Sequence, residues 1–125
     1  MAYLAPTQEL GRRFVMRLDR GPTASFKDFA ALMMARWMGA FMVGDRQQLV
    51  ILTATSGDTG SAVAHAYHGV PGVESVVLFP QAEVSERQRR QMTTLGGNVT
   101  TFAVDGKFDD CQAMVKRAFA DPDLS

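Results

Sequence analysis

Cysteine occurs once in these 125 residues, at Cys111, so no internal disulfide is available and the fold must rest on its core. A reducing, cytoplasmic setting is the expectation that follows. No sign of charge predominates, with thirteen Lys and Arg against thirteen Asp and Glu. That balance removes the electrostatic ground for expecting nucleic acid or an anionic membrane as partner. Long hydrophobic runs are absent too. The longest apolar tract, Phe29 to Val43, is interrupted by Arg36 and is too short to cross a bilayer. The opening MAYLAPTQEL has neither the basic start nor the apolar block of a signal peptide. Histidine is scarce: His65 and His68 lie three apart with no Cys, Asp or Glu at ligand spacing beside them, so no metal site is expected. Neither G-x-G-x-x-G nor a P-loop occurs, which disfavours a nucleotide-binding domain. Without repeats, low-complexity tracts or linkers, residues 1–125 read as one domain large enough to bury a core.

What is present alternates regularly. RRFVMRLD (Arg12–Asp19) spaces Phe14, Met16 and Leu18 among basic residues and reads as a strand near a sheet edge. A long apolar helix is expected from about Phe26 to Val43, stopped by Gly44-Asp45. QLVILTAT (Gln48–Thr55) is a continuous apolar run, the pattern of a strand covered on both faces. After the turn SGDTG comes a helix of small residues that stops at Gly69. ESVVLFP (Glu74–Pro80) is a further buried strand, ended by proline. Ser85 with Gln88 forms a capping box, and that helix stops at Gly96-Gly97. NVTTFAV (Asn98–Val104) is the fourth strand and FDDCQAMVKRAFA (Phe108–Ala120) the closing helix, with Asp109 or Asp110 as cap. Four strands alternating with helices predict an α/β fold, a four-stranded parallel doubly wound sheet in three layers, α/β/α.

In such sheets ligands bind beyond the carboxyl ends of the strands, where the turns DRGPTASFKD and TATSGDTGSA are expected to share one crevice. Lys27 stands out in the first. Ser25 and Asp28 read as a capping box that places Lys27 at the second helical position, where the helix dipole opposes a cation. Its helical face continues through Ala31, Met34 and Met38 and looks buried, which also disfavours the ammonium. A neutral amine in an apolar site is a nucleophile suited to a Schiff base. A lysine that merely snorkels past its neighbours to water has the same spacing. In the second turn, Ser56, Gly57, Asp58, Thr59 and Gly60 combine glycines, side-chain oxygens and free N–H groups at a helix start, an anion-site pattern. Asp58 must there either cap the helix or accept a proton-bearing group from a ligand.

GPTASFKDFA followed by LTATSGDTGSAVAHA at this spacing resembles the threonine synthase family, pyridoxal-phosphate (PLP) enzymes of the tryptophan-synthase-β fold group. The likeness continues through VVLFP, TLGGNVTTFAVDG and FDDCQAMVKRAF. It implies the smaller domain of a fold-type II PLP enzyme, one portion of a longer chain. It also implies that Lys27 carries PLP and takes the substrate's Cα proton. Ser56, Gly57, Asp58 and Thr59 are then expected at the substrate's α-carboxylate, with Asp58 also near the cofactor's 3′-oxygen, where wider relatives carry asparagine. The implied reaction converts O-phospho-L-homoserine and water to L-threonine and phosphate. Asp19-Arg20 stands where family members often show Phe-His before GPT. The family's glycine-rich loop for the PLP phosphate is expected in a part this chain does not span, so the chain alone is expected to be inactive. Its partner would be the missing remainder of the enzyme, and apolar surface made for that remainder favours self-association.

Two alternatives stay open on the sequence: a related phospho-lyase that does not make threonine, and a non-catalytic α/β binding domain. The remaining features take plainer readings. Arg87, Arg89 and Arg90 fit a solvated helix face better than a phosphate site, and Met33, Met34 and Met38 fit adaptable core packing. TLGGN reads as a helix stop before a strand, and Cys111 as a small buried apolar residue.

Overall fold

The computed structural model describes residues 6–42 and 48–124. The expected helix stop at Gly44-Asp45 lies outside them. Strands β1 (Thr7–Leu10) and β2 (Arg13–Met16) form an antiparallel hairpin, followed by one 3-10 turn, Leu18–Arg20. Helix α1 (Lys27–Phe41) leads to β3 (Leu49–Ala54), α2 (Asp58–Tyr67), β4 (Val73–Pro80), α3 (Glu86–Thr93), β5 (Val99–Val104) and α4 (Phe108–Ala120). The three later strands make a parallel sheet in the order β3-β4-β5. Helices α2 and α3 pack on one face and α4 on the other, while α1 lies against α2. The α/β class and its layers therefore hold.

The four-stranded sheet does not. Among the described residues the parallel sheet has three strands, and Arg13–Met16 pairs with Thr7–Leu10 instead. The cause is local. Leu10 faces Arg13 across a two-residue turn whose first residue, Gly11, has φ of 63°, a conformation glycine adopts without strain. Closing so short a loop costs less chain entropy than recruiting the strand to a distant sheet edge.

The core forms around β4, the central strand. Val77 and Phe79 pack with Ala64 of α2, Met92 of α3 and Val99 of β5. Fully burying a side chain like Phe79 contributes about 1.5–3 kcal/mol. A second cluster joins Ala31 and Ala35 of α1 to Ala62, Ala66 and Tyr67 of α2. Small residues let these helices approach closely, and a Cβ on Gly60 would overlap Thr55. Cys111 is wholly buried, and burial, helped by the negative charges of Asp110 and Glu83, pushes its thiol pKa up.

One expectation about burial is refined and one is corrected. β3 has α2 on one face and α4 on the other as expected, but among the described residues it lies at the sheet edge, and Val50 is 55% exposed because α4 shields that face only in part. The methionines of α1 are not a core stripe: Met33 and Met34 are exposed and only Met38 packs inward. The helix is apolar on more than one side, and α2 covers just the side carrying Ala31, Leu32, Ala35 and Met38.

TLGGN does end a helix and start a strand, and its last residue is a latch. Asn98 Nδ2 donates to the Tyr67 carbonyl at 2.8 Å and to the Val73 carbonyl at 2.7 Å, and Oδ1 accepts from Gly69 N–H at 2.8 Å. One carboxamide so ties the exit of α2 to the entry of β4. At about 1 kcal/mol for each bond lost, Asn98→Ala is expected to lower stability by about 2–3 kcal/mol in urea denaturation.

Candidate functional site

The segment from Gly21 to Phe26 joins the 3-10 turn to α1, and Asp28 holds it. The Asp28 carboxylate is 1% exposed and accepts from Thr23 N–H at 2.8 Å and from Thr23 Oγ1 at 2.6 Å. Gly21 lies against the same carboxylate so closely that a Cβ there would overlap it. The expected Ser25–Asp28 capping box is thus absent: Asp28 reaches back to Thr23 instead, while Ser25 Oγ accepts from Lys27 N–H at 3.3 Å. The reason is the turn at Ala24, the one non-glycine residue at positive φ (61°) among those described, which folds Thr23 onto the helix start. A residue without the glycine exemption persists in that conformation only where its surroundings fix it.

Lys27 is consequently the first residue of α1, not the second. Its side chain is half-buried, with Nζ 5.7 Å from the centre of the Phe26 ring. The face that continues from it is mixed, with Ala31 buried, Met38 half-buried and Met34 exposed. Asp19, close before this segment, pairs with Arg17, whose Nε and Nη2 donate at 2.7 and 2.6 Å. Those bonds hold the Asp19 carboxyl down at about 2.

The second turn is built on Thr55, a buried residue that sequence reasoning passed over. Its Oγ1 accepts from Gly57 N–H at 2.9 Å and from Gly60 N–H at 2.8 Å, so it supplies the acceptor at the start of α2. Asp58 does not cap the helix; its Oδ1 accepts from Gln88 Nε2 of α3 at 2.7 Å. The N–H groups of Asp58 and Thr59 have no acceptor among the described residues, as befits a first helical turn.

The two turns meet. Lys27 and Thr59 line one apolar cavity of about 320 Å³ with Phe26, Met34, Val63 and Tyr67. Asp58 faces a separate polar recess with Thr23, Ala24 and Gln88. Ser56 is exposed, and Gly57 is buried at φ 142°. Arg89 and Arg90 both pair with Glu86, as expected of a solvated helix face, whereas Arg87 lines the polar recess.

A family model, that of pyridoxal-phosphate dependent enzymes, matches residues 3–124. The chain belongs to this family. It is 50% identical over 109 residues to threonine synthase of Escherichia coli (strain K12), across 87% of this chain and 25% of that protein. It is 45% identical over 120 residues to threonine synthase of Pseudomonas aeruginosa, across 94% of this chain and 26% of that one. Among solved structures, threonine synthase from Escherichia coli superposes with a TM-score of 0.80 at 47% identity, covering 98% of this chain and 28% of that one. PLP-bound threonine synthase from Brucella melitensis gives 0.86 at 39% identity, covering 95% and 26%. The chain spans about a quarter of the length of these relatives.

The residues of this PLP-family chain suit the cofactor. They offer a primary amine on an apolar wall, free N–H donors on the facing turn, and one buried polar atom in search of a partner. That atom is the Tyr67 hydroxyl, which is buried without a hydrogen bond among the described residues and belongs to a cavity-lining side chain. Burial also pushes the Tyr67 phenol pKa up. The unfolded chain ionises first as pH rises, so this contribution to stability is complete below the ordinary phenol range and is lost above it. Tyr67→Phe is expected to remove the tyrosine's share of that alkaline loss. By deleting an unpaired hydroxyl it should also raise stability at neutral pH by about 1 kcal/mol, both read from denaturation curves at several pH values.

Proposed function

We propose that this chain is the lysine-bearing portion of a cytoplasmic PLP-dependent carbon–oxygen lyase. The proposed reaction converts O-phospho-L-homoserine and water to L-threonine and phosphate. The observation that carries the proposal is Lys27 at the start of α1, half-buried on an apolar cavity that it shares with Thr59. Identities of 45–50% to threonine synthases support the reaction class, and the lone buried Cys111 suits the compartment.

In this reading Lys27 holds the cofactor covalently through Nζ. When bound, PLP supplies an electron sink for charge developing at the substrate's α-carbon. Lys27 would also be the base that takes the substrate's Cα proton. The turn Ser56–Thr59 binds the substrate's α-carboxylate through the free N–H groups of Asp58 and Thr59 and the positive end of α2. Asp58, an acceptor, takes a shared proton from the ligand side. Ala30, Ala31 and Val63 line the same cavity and give the amine an apolar surround. The rest of the enzyme closes the cavity and holds the PLP phosphate, so this chain alone releases no phosphate from the substrate.

The test is covalent labelling: incubation with PLP, borohydride reduction and peptide mapping by mass spectrometry. Pyridoxyl concentrated on Lys27 supports the reading. Labelling spread evenly over Lys27, Lys107 and Lys116 counts against it.

A further inference from the structure

Gln88 sits on α3, in the sequence LFPQAEVSERQRRQM, thirty residues beyond Asp58, yet it reaches the candidate site. Its carboxamide has both ends committed. Oε1 accepts from Ser85 N–H at 3.2 Å and from Ser85 Oγ at 2.7 Å. Because a backbone N–H can only donate, that end must be the oxygen, so the amide nitrogen is turned towards Asp58, where it donates at 2.7 Å. The backbone is fitted around this contact. A Cβ on Gly57 would overlap the Gln88 carboxamide, and Ser61 Oγ is 3.4 Å from the Gln88 carbonyl oxygen. A helix cap on α3 and the first turn of α2 are thus joined through a single side chain.

We propose that Gln88 is a positioning residue of the Lys27 site, acting through Asp58. The inference rests on the function proposed above. By holding Oδ1, Gln88 fixes the Asp58 carboxylate and the turn Gly57–Thr59, and Thr59 in turn lines the cavity with Lys27. The carboxylate's second oxygen is left to accept a proton-bearing ligand group in the polar recess. Ser85 sets the direction of the amide, so the cap of α3 doubles as the support of the site.

Two variants separate this role from simple stabilisation. Gln88→Glu keeps the acceptor for Ser85 and replaces the donor to Asp58 by a second acceptor. Asp58→Asn combined with Gln88→Glu restores a donor–acceptor pair with its polarity reversed. Two readouts are taken: the rate of pyridoxyl labelling at Lys27 relative to Lys107, and the amide NMR signals of Lys27 and Thr59. In Gln88→Glu the Lys27 labelling advantage is expected to fall about tenfold and the Thr59 signal to move, since small displacements at such sites cost this much or more. The double variant, in which the two side chains are again joined by a hydrogen bond, should regain the Thr59 signal and most of the Lys27 labelling advantage. The inference is overturned if Gln88→Glu leaves the Thr59 signal in place. It is equally overturned if Asn98→Ala, which lowers stability without touching Gln88 or Asp58, loses the Lys27 labelling advantage to the same extent. Uniform labelling of the unsubstituted chain would instead overturn the function proposed for Lys27, and the NMR readout would still decide the role of Gln88.

Discussion

After incubation with PLP and reduction, Lys27→Ala is expected to carry no pyridoxyl beyond the slow background at Lys107 and Lys116. The unsubstituted chain should carry it at Lys27, with a rate advantage of about tenfold or more. The three lysines differ in surroundings more than in chemistry. Lys107 and Lys116 are exposed. Lys27 is half-buried at the wall of a cavity large enough for a flat heterocycle, and its backbone is fixed by α1 and by the Ser25 hydroxyl. A confined amine approaches a carbonyl from few directions, and orientation of this kind is what separates an attached group from a passing collision. A lysine peptide sets the background rate. Equal labelling of all three lysines would overturn the role proposed for Lys27.

The second large effect belongs to Asp28. Asp28→Ala is expected to cost about 3 kcal/mol in urea denaturation and to erase the Lys27 labelling preference. The substitution removes two bonds to a buried carboxylate and leaves Thr23 N–H unpaired inside the protein. It also removes a negative charge from the first turn of α1, where the helix dipole favours one. Total stability of a domain is about 5–15 kcal/mol, so a loss of this size is a large fraction. Without the carboxylate, the turn at Ala24 keeps only the Ala24 N–H bond to the Gly21 carbonyl at 3.1 Å and the Gln91 Nε2 bond to the Thr23 carbonyl at 3.3 Å, and the loop that delivers Lys27 loosens. Asp28→Asn should fall between, because the amide can accept from only one of the two Thr23 donors. Near-native stability and labelling in Asp28→Ala would show that the loop is held by other contacts.

What could be read from the sequence was local. The Ser85–Gln88 cap, the stop at Gly69 and the three strands from Leu49 onward depend on neighbours a few residues away, and each is present, while α3 ends at Thr93, short of the expected stop at Gly96-Gly97. Lys27 was conspicuous because a cation opened an apolar helix. Less local features were missed. Whether Arg13–Met16 joined the sheet depended on Gly11, whose turn gave it a nearer partner in Thr7–Leu10. Asp28 passed for a helix cap because the positive φ at Ala24 that turns Thr23 towards it leaves no mark on an alanine. The Asp58–Gln88 bond spans thirty residues and two elements, so spacing could not reveal it. The exposure of Met33 and Met34 shows the limit of apolar pattern alone: it marks what could be covered, not what is.

That outer surface of α1 has a thermodynamic consequence. Phe26, Met33, Met34, Trp37 and Phe41 already meet water in the folded chain, Trp37 at 61% and Phe41 at 77% exposure. Unfolding therefore hydrates less new hydrocarbon than in a domain of equal length that hides such side chains. Since newly wetted hydrocarbon is the source of the heat-capacity increment of unfolding, that increment is small here, and so is the denaturant slope. The curve of stability against temperature is correspondingly shallow, with a broad maximum instead of a sharp one.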